Sequence, residues 1–441
     1  MVHREVELLA IGAGPSNLSL AVALEELAPD GLANDSLLIE AGPTVEWQRG
    51  MLLPGTQSQV SFLKDLVSLR NPRSAYSFVN YLHSVGRLDQ FANLGTFTPY
   101  RTEISDYLRW VAEHLTKVSV EYNRRATAVE PLVDENGDLT GWLTRLADGD
   151  TIGSRYLVVG AGRDKRVPAV FKNLPERKVI HSTEYVDRIA ALPRELPYRV
   201  TVVGGAQSAA EMFHSVQTDL PNSRPTMVMR SIGMNAYESS KFTNELYYPS
   251  FVGEFYDSRP EQRAQILQEM HKTNYSGLAP GFLDTLYRQL YLDSMSDDPR
   301  LRVVTMVDVT DAREVNDEIV LSLTDRKTGL VEELRTDLVL LGTGFDPAMP
   351  RLVGELASRL GLPEISVSRR YRMETGDSAG AVYLQGVNEA THGISDSLLS
   401  VLAWRAQEIV ADLLEHRAAR SAVPTPAVAA SAVGASAVAT A

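Results

Sequence analysis

Hydrophobic and polar positions set out an α/β alternation from the start of the chain. Val6 to Ile11 is an apolar run that stops at Gly12-Ala13-Gly14, after which Leu18 to Leu27 repeats Leu and Ala at helical spacing. Strand, tight turn, helix is the prediction. Ser36 to Ile39 predicts a second short strand, ending in Glu40. Tyr76, Phe78, Val79, Tyr81 and Leu82 give apolar sides to a helix over 75–85, and Ile104, Tyr107, Leu108 and Val111 do so over 101–115. Alternation over 118–131 and 140–146, with Asn136-Gly137 between, predicts a hairpin. Later, Tyr156 to Val159 runs into Gly160, Tyr198 to Val203 into Gly204-Gly205, and Thr226 to Met229 into Arg230. Strand patterns return at 301–309, 319–323, 337–341 and 382–386, before an amphipathic helix to about His416.

Two of these turns carry chemistry. In Gly12-Ala13-Gly14-Pro15-Ser16-Asn17 the first glycine permits a sharp turn, and Gly14 lets backbone approach a pyrophosphate at the helix N-terminus. Asn17 stands where a third glycine is usual. Glu40, at the tip of the second strand, is where a ribose hydroxyl is held. Gly204-Gly205-Ala206-Gln207-Ser208 is a second such turn, with Ala206 in place of its second glycine. The strand beside it ends in Arg230-Ser231, which suits a 2′-phosphate and points to NADP(H) over NAD(H). Two fingerprints a full domain apart predict two nucleotides, FAD on the first and a nicotinamide cofactor on the second.

The predicted fold class is therefore α/β, with two Rossmann-like dinucleotide-binding domains. A smaller, mostly helical insertion for substrate is expected at about 239–296, where a stretch rich in Tyr, Asn and Phe breaks the rhythm. The expected order is 1–190 for the first part of the FAD domain and 191–336 for the NADPH domain with its insertion. Residues 337–416 return to the FAD domain, and 417–441 form a disordered tail of small residues.

Composition narrows the chemistry. The 441 residues allow two or three domains at about 150 residues each. A net charge of −13 argues against nucleic acid and against an anionic membrane surface. No stretch has the bulky apolar side chains of a membrane span, and the first strand follows Met1 almost directly, so a cytoplasmic protein is expected. The chain has 0 Cys, which excludes disulfides and a redox dithiol, and hence a reductase of that kind. Its 8 His are scattered, so no metal is expected. His392 beside Gly393 reads equally as a base or as a packed or capping residue. The chemistry falls to the flavin, with hydride from NADPH and oxygen as acceptor. Lys64 and Asp65 interrupt the apolar run from Val60 to Leu66. Such charges are costly to bury unless paired or bound, although a snorkelling lysine is the alternative.

The chain resembles the microbial N-hydroxylating flavin monooxygenases, the L-ornithine N5-monooxygenases and their L-lysine N6 relatives, from about Val6 to Leu402. The resemblance is carried by Gly-Ala-Gly-Pro-Ser-Asn at 12–17, Val-Ser-Phe-Leu-Lys-Asp-Leu-Val at 60–67 and Asn-Pro-Arg-Ser-Ala-Tyr-Ser-Phe-Val-Asn-Tyr-Leu at 71–82. Gln-Ser-Ala-Ala-Glu at 207–211, Asn-Glu-Leu at 244–246, Asn-Tyr at 274–275 and Thr-His-Gly-Ile-Ser-Asp-Ser-Leu-Leu-Ser at 391–400 complete it. It implies that Lys64 binds the substrate carboxylate, that Asn244 and the Asn274 backbone hold the amino-acid head, and that Ser400 lies near the reacting amine. Glu40, Trp47, Gln48, Gln59, Ala126, Ser397, Leu398 and Leu399 would line FAD. Gly205, Ala206, Gln207, Ser208, Arg230, Asn274, Tyr275 and Ser276 would meet NADP(H).

The implied reaction is hydroxylation of the ornithine side-chain amine through a C4a-hydroperoxyflavin, for siderophores or other hydroxamates, by a homotetramer. The amine must react uncharged, and a free alkylamine has a pKa near ~10.4, so the pocket has to desolvate or deprotonate it. Lysine N6-hydroxylation is the alternative, separated by one methylene worth about 1–3 kcal/mol of selectivity. A Baeyer–Villiger or sulfide-oxidising flavoenzyme leaves the Phe-Leu-Lys-Asp-Leu block unexplained. Lys64, Asn244 and Asn274 argue against a nucleotide-binding protein without catalysis.

Overall fold

A computed structural model describes residues 3–238, 240–275, 277–376 and 378–421. The chain begins with β1 (His3–Ile11), α1 (Pro15–Leu27), α2 (Asp30–Asn34) and β2 (Ser36–Ile39). A long irregular stretch leads to α3 (Phe78–Ser84), α4 (Leu88–Leu94) and α5 (Arg101–His114). The start of α3 is fixed by Ser77, whose hydroxyl accepts the Asn80 N–H at 3.2 Å. Then come β3 (Ser119–Glu121), β4 (Ala126–Val133), β5 (Leu139–Leu146) and β6 (Thr151–Val159).

Strands β3, β2, β1 and β6 lie side by side and parallel, with Ile11 level with Ile39 on one side and Val159 on the other. The chain leaves β1 towards β2 and returns to β6 on the opposite side. Such a reversal opens a crevice at the C-terminal end of the central strand. The first half of β6 pairs antiparallel with β5, Trp142 opposite Ser154.

The second unit starts with β7 (Val179–His181), α6 (Tyr185–Ala190), β8 (Arg199–Val203), α7 (Gln207–Asp219) and β9 (Arg224–Val228). An excursion follows through β10 (Asn235–Ala236), α8 (Lys241–Glu245), α9 (Pro249–Asp257), α10 (Pro260–Asn274), β11 (Gly277–Leu278) and α11 (Pro280–Ser294). The chain resumes with β12 (Arg302–Val304), β13 (Val307–Val315), β14 (Glu318–Asp325), β15 (Val331–Thr336) and β16 (Leu338–Leu341). The parallel sheet runs β12-β9-β8-β16-β7, so β8 is its switch point. Ala209, Phe213 and Val216 of α7 cover one face. The antiparallel sheet β13-β14-β15 covers the other, through Val307, Ile319, Leu321 and Leu323.

The chain closes with α12 (Arg351–Arg359), β17 (Ala381–Leu384), α13 (Glu389–His392) and α14 (Leu402–Ser421). β17 pairs parallel with the second half of β6, Leu384 opposite Val159. Ala406, Ile409 and Leu413 of α14 share a buried cluster with Leu18 and Val22 of α1 and Tyr107 of α5. This packing brings the last quarter of the chain back over the first turn.

Three expectations are corrected. The run at 338–341 does not return to the first domain: β16 pairs with β8 and β7, so the second sheet begins at Val179 and is left only after Leu341. An apolar run records burial but not the sheet that buries it. The single strand expected at 301–309 is two, because Met306 takes a positive φ of 57° and the halves join different sheets. The last helix continues to Ser421, past the expected tail start at 417, and the rest of that tail lies outside the described residues.

Candidate active site

The two glycine turns are built alike. Gly12 has φ +92°, and a Cβ there would lie 2.9 Å from the Gly160 carbonyl oxygen at the end of β6. Gly204 has φ +141°, and its Cβ would lie 2.4 Å from the Gly342 carbonyl oxygen at the end of β16. In each domain the missing side chain lets two strand ends close on one another beneath a helix N-terminus.

At the first turn Pro15 opens α1, and the Leu18 N–H is the first to close, onto the Gly14 carbonyl at 3.0 Å. The N–H groups ahead of it have no intrahelical partner. A Cβ on Gly14 would meet nothing within 4 Å, so the space over these donors is open. Donors and space fit a pyrophosphate. Glu40 clamps the turn, Oε2 accepting the Ala13 N–H at 2.9 Å and Oε1 the Gly42 N–H at 2.8 Å. Asn17 has a different part from the one expected. It is fully buried, its carboxamide donates to the Ile11 and Gly12 carbonyls at 2.9 and 2.8 Å, and its oxygen accepts from Gln385 at 2.8 Å. Its side chain therefore fastens the turn.

At the second turn Ala206 is the N-cap of α7. Gln207 looks inward: its oxygen accepts the Ala279 N–H at 3.1 Å and its amide donates to Glu211 at 2.7 Å, tying the turn to the start of α11. A Cβ on Gly205 would lie 3.0 Å from the Ser231 hydroxyl, so the tip of β9 sits against the turn. Arg230 is exposed there, and its carbonyl accepts from Arg326 at 3.2 Å, which brings a second guanidinium to the corner. Ser208, the second residue of α7, is half-buried.

A cavity joins Pro15, Ser61, Phe62, Lys64, Leu399 and Leu402 in one wall, drawing on three separate stretches of sequence. Lys64 is half-buried, and burial lowers its pKa. Its Nζ lies 4.4 Å from the centre of the Tyr248 ring, a cation–π contact with the turn that follows α8. Asp65 does not neutralise it. The Asp65 carboxylate accepts the N–H groups of Val67, Ser68 and Phe78 at 2.9, 2.6 and 2.7 Å, while burial raises its pKa. Asn244 is half-buried within α8 and Asn274 is the last residue of α10. The two helix ends are tied by a hydrogen bond between Tyr247 and Thr273. Ser400 is 2% exposed, and its hydroxyl has no partner among the described residues.

The segment after α13 meets α10 through Tyr275, whose hydroxyl bonds to Glu389 and lies 3.0 Å from the Ser397 hydroxyl. Ser397 donates to Glu389 at 2.8 Å, and Arg163 pairs with Glu389 at 3.4 Å. Leu398 and Leu399 are half-buried beside them. Trp47 packs on the first core and its N–H donates to Ser105 at 3.0 Å; Gln48 and Gln59 are exposed. Ala126, at the start of β4, packs on the opposite face of the sheet. Ser276 lies outside the described residues. His392 is a packed residue and not a base. It is fully buried, stacks on Tyr371 at 4.1 Å, and bonds to Thr391 at 2.9 Å and the Arg369 carbonyl at 3.3 Å, while burial lowers its pKa.

Several residues escaped the sequence reading. Arg405 is fully buried and pairs with Asp396 at 2.8 Å. Its signal was present, since it interrupts the apolar spacing of Leu402, Ala406, Ile409 and Leu413. Tyr248, Arg163 and Glu389 carried none, because only the fold brings them to the site.

Two mainly parallel sheets, each with a glycine turn under a helix at its switch point, and a half-buried lysine in the cavity beside the first turn define a two-Rossmann-domain flavin monooxygenase fold. A family model described as L-lysine 6-monooxygenase/L-ornithine 5-monooxygenase matches residues 4–347, and the chain belongs to that family. The L-ornithine N(5)-monooxygenase of Pseudomonas aeruginosa is 38% identical over 418 residues, covering 93% of this chain and 94% of that one. The solved ornithine N-hydroxylase of Kutzneria sp. 744, bearing reduced FAD, NADP+ and L-ornithine, is 33% identical with a TM-score of 0.85 over 94% of this chain and 100% of that one. The L-lysine 6-monooxygenase of Pseudomonas syringae is 29% identical with a TM-score of 0.80, covering 93% and 99%.

Proposed function

We propose that this chain hydroxylates N5 of L-ornithine, using NADPH and O2, with FAD at the first glycine turn and NADPH at the second. The observation that carries the reading is Lys64, a half-buried ammonium set among apolar walls in a cavity that also contains Pro15 of the first turn and Leu399. When bound, FAD accepts hydride from NADPH and activates oxygen.

The protein's own part is to hold, orient and dry. An α-carboxylate laid against Lys64 restores the stabilisation that burial takes from the ammonium. Asn244 and the Asn274 backbone complete a polar grip on the head group. Fixing that end sends the side chain towards Ser400, whose buried hydroxyl is left for the substrate. Apolar lining by Phe62, Leu399 and Leu402 disfavours the charged amine and excludes water. Positioning of this kind contributes more than acid–base groups, which the cavity hardly supplies.

The finer reading extends to hydroxamate or siderophore assembly by a homotetramer, as the family resemblance suggests, and to a cytoplasmic location. The test is product analysis with L-ornithine and L-lysine supplied side by side, together with NADPH consumption. Hydroxyornithine in large excess supports the reading. Hydroxylysine in excess would move the assignment to the lysine branch, and NADPH oxidation indifferent to both amino acids would overturn it.

A further inference from the structure

Arg405, in the first turn of α14, is 0% exposed and lies far from Lys64 in sequence. Its charge is balanced by Asp396, which it meets through Nη1 at 2.8 Å to the carboxylate and 2.5 Å to the carbonyl. Nε donates to the Gln385 oxygen at 3.1 Å, and the Gln385 amide donates in turn to Asn17 at 2.8 Å. Nη2 donates to the Ser16 hydroxyl at 2.8 Å. One guanidinium thus holds two consecutive residues in the first turn of α1, Ser16 directly and Asn17 through Gln385. Their N–H groups are those left without intrahelical partners.

The Ser16 contact has a direction. A guanidinium has no acceptor, so the Ser16 oxygen accepts and its own hydrogen must point elsewhere. Ser16 is half-buried, at the helix end whose neighbour Gly14 faces open space. We propose that Arg405 is a positioning residue for the dinucleotide phosphates at the first turn. It orients the Ser16 hydroxyl to donate to a phosphate oxygen beside the helix N-terminus. The proposal rests on the reading of that turn as the FAD site.

The test compares wild type with Ser16→Ala, Arg405→Met, Arg405→Lys and the Ser16→Ala/Arg405→Met double variant. FAD and ADP are each titrated into apoprotein, and apoprotein melting is recorded. Ser16→Ala and Arg405→Met each weaken both ligands at least about tenfold, the loss of a charge-assisted hydrogen bond. Ser16→Ala lowers apoprotein melting less than Arg405→Met does, since it leaves the Asp396 and Gln385 contacts of the guanidinium in place. In the Arg405→Met background, Ser16→Ala adds less than about twofold, because both variants remove the same contact. Arg405→Lys, which keeps the charge but lacks the fork, loses as much as Ser16→Ala, so a misfolded Arg405→Met does not shield the proposal. Additive losses, unchanged affinity in Ser16→Ala, wild-type affinity in Arg405→Lys, or a loss seen with FAD but not with ADP would each overturn it. Wild type that binds neither ligand would instead remove the reading beneath it, and the proposal with it.

Discussion

Arg101 of α5 and Glu211 of α7 meet across the two domains as a bidentate ion pair, both N–O distances 2.8 Å, with the two residues 6% and 3% exposed. Arg101 also donates to the Met51 carbonyl at 3.3 Å, and Gln207 reaches Glu211 from the second glycine turn. A buried pair of this kind is costly to break from one side, because the remaining charge is left without compensation. Glu211→Gln is expected to lose about 3–5 kcal/mol of stability. The Arg101→Met/Glu211→Leu double variant, which removes both charges, recovers most of that loss. Denaturant titration of all three proteins checks this, and equal losses in the single and double variants would refute a charge-compensated pair.

Lys64→Met keeps the length and apolar stem of the side chain and removes its charge. NADPH should still reduce the flavin at its usual rate, since Lys64 lies in the first domain's cavity and away from the second glycine turn. A hydrogen bond to a charged group contributes about 1.5–3 kcal/mol, so KM for ornithine should rise roughly 10–100-fold. Reduction then runs ahead of hydroxylation. Stopped-flow reduction and the ratio of hydroxyornithine formed to NADPH consumed read the two halves separately.

How much of this was legible beforehand depended on whether a residue's role was local. The turn at Gly12 and the strand before it are local, and pattern alone gave strand, turn and helix. The strand at 338–341 is equally apolar, but its sheet is chosen by pairing with β8, which no window of sequence contains. Asn17 read as a weakened third glycine, yet it is a structural part: its carboxamide bridges the Ile11 and Gly12 carbonyls to Gln385, more than 360 residues away. Lys64 was visible because a charge in an apolar run is costly anywhere. Arg405 sent the same signal from α14 and went unread, while Tyr248 looked like any aromatic until the fold set it over Lys64.

Ser400 separates a ligand contact from a structural one. Its hydroxyl is buried without a partner among the described residues, so Ser400→Ala breaks no hydrogen bond seen within the fold. Apoprotein stability should hold or rise, by up to about 1 kcal/mol, while KM for ornithine increases about tenfold. A fall in apoprotein melting temperature with unchanged KM would make Ser400 a packing residue.

Acid should destabilise the fold through its histidines. Burial lowers the pKa of His392, His181 and His416 from the ordinary value of 6.5. Each is neutral in the native protein, whereas the unfolded chain takes up the proton as pH falls below 6.5. Their contribution is therefore complete above the unfolded pKa and is lost as pH falls through the folded values. Asp65 and Glu103, raised by burial, act in the opposite sense towards the carboxylate range. The melting temperature should drop between pH 7.5 and pH 5.5. His392→Gln can keep a hydrogen bond to the Arg369 carbonyl but cannot titrate, so its melting curve should be flatter over the same interval. Parallel pH profiles for the two proteins would mean that His392 titrates alike in the native and unfolded states, and burial would not be holding it neutral against Tyr371.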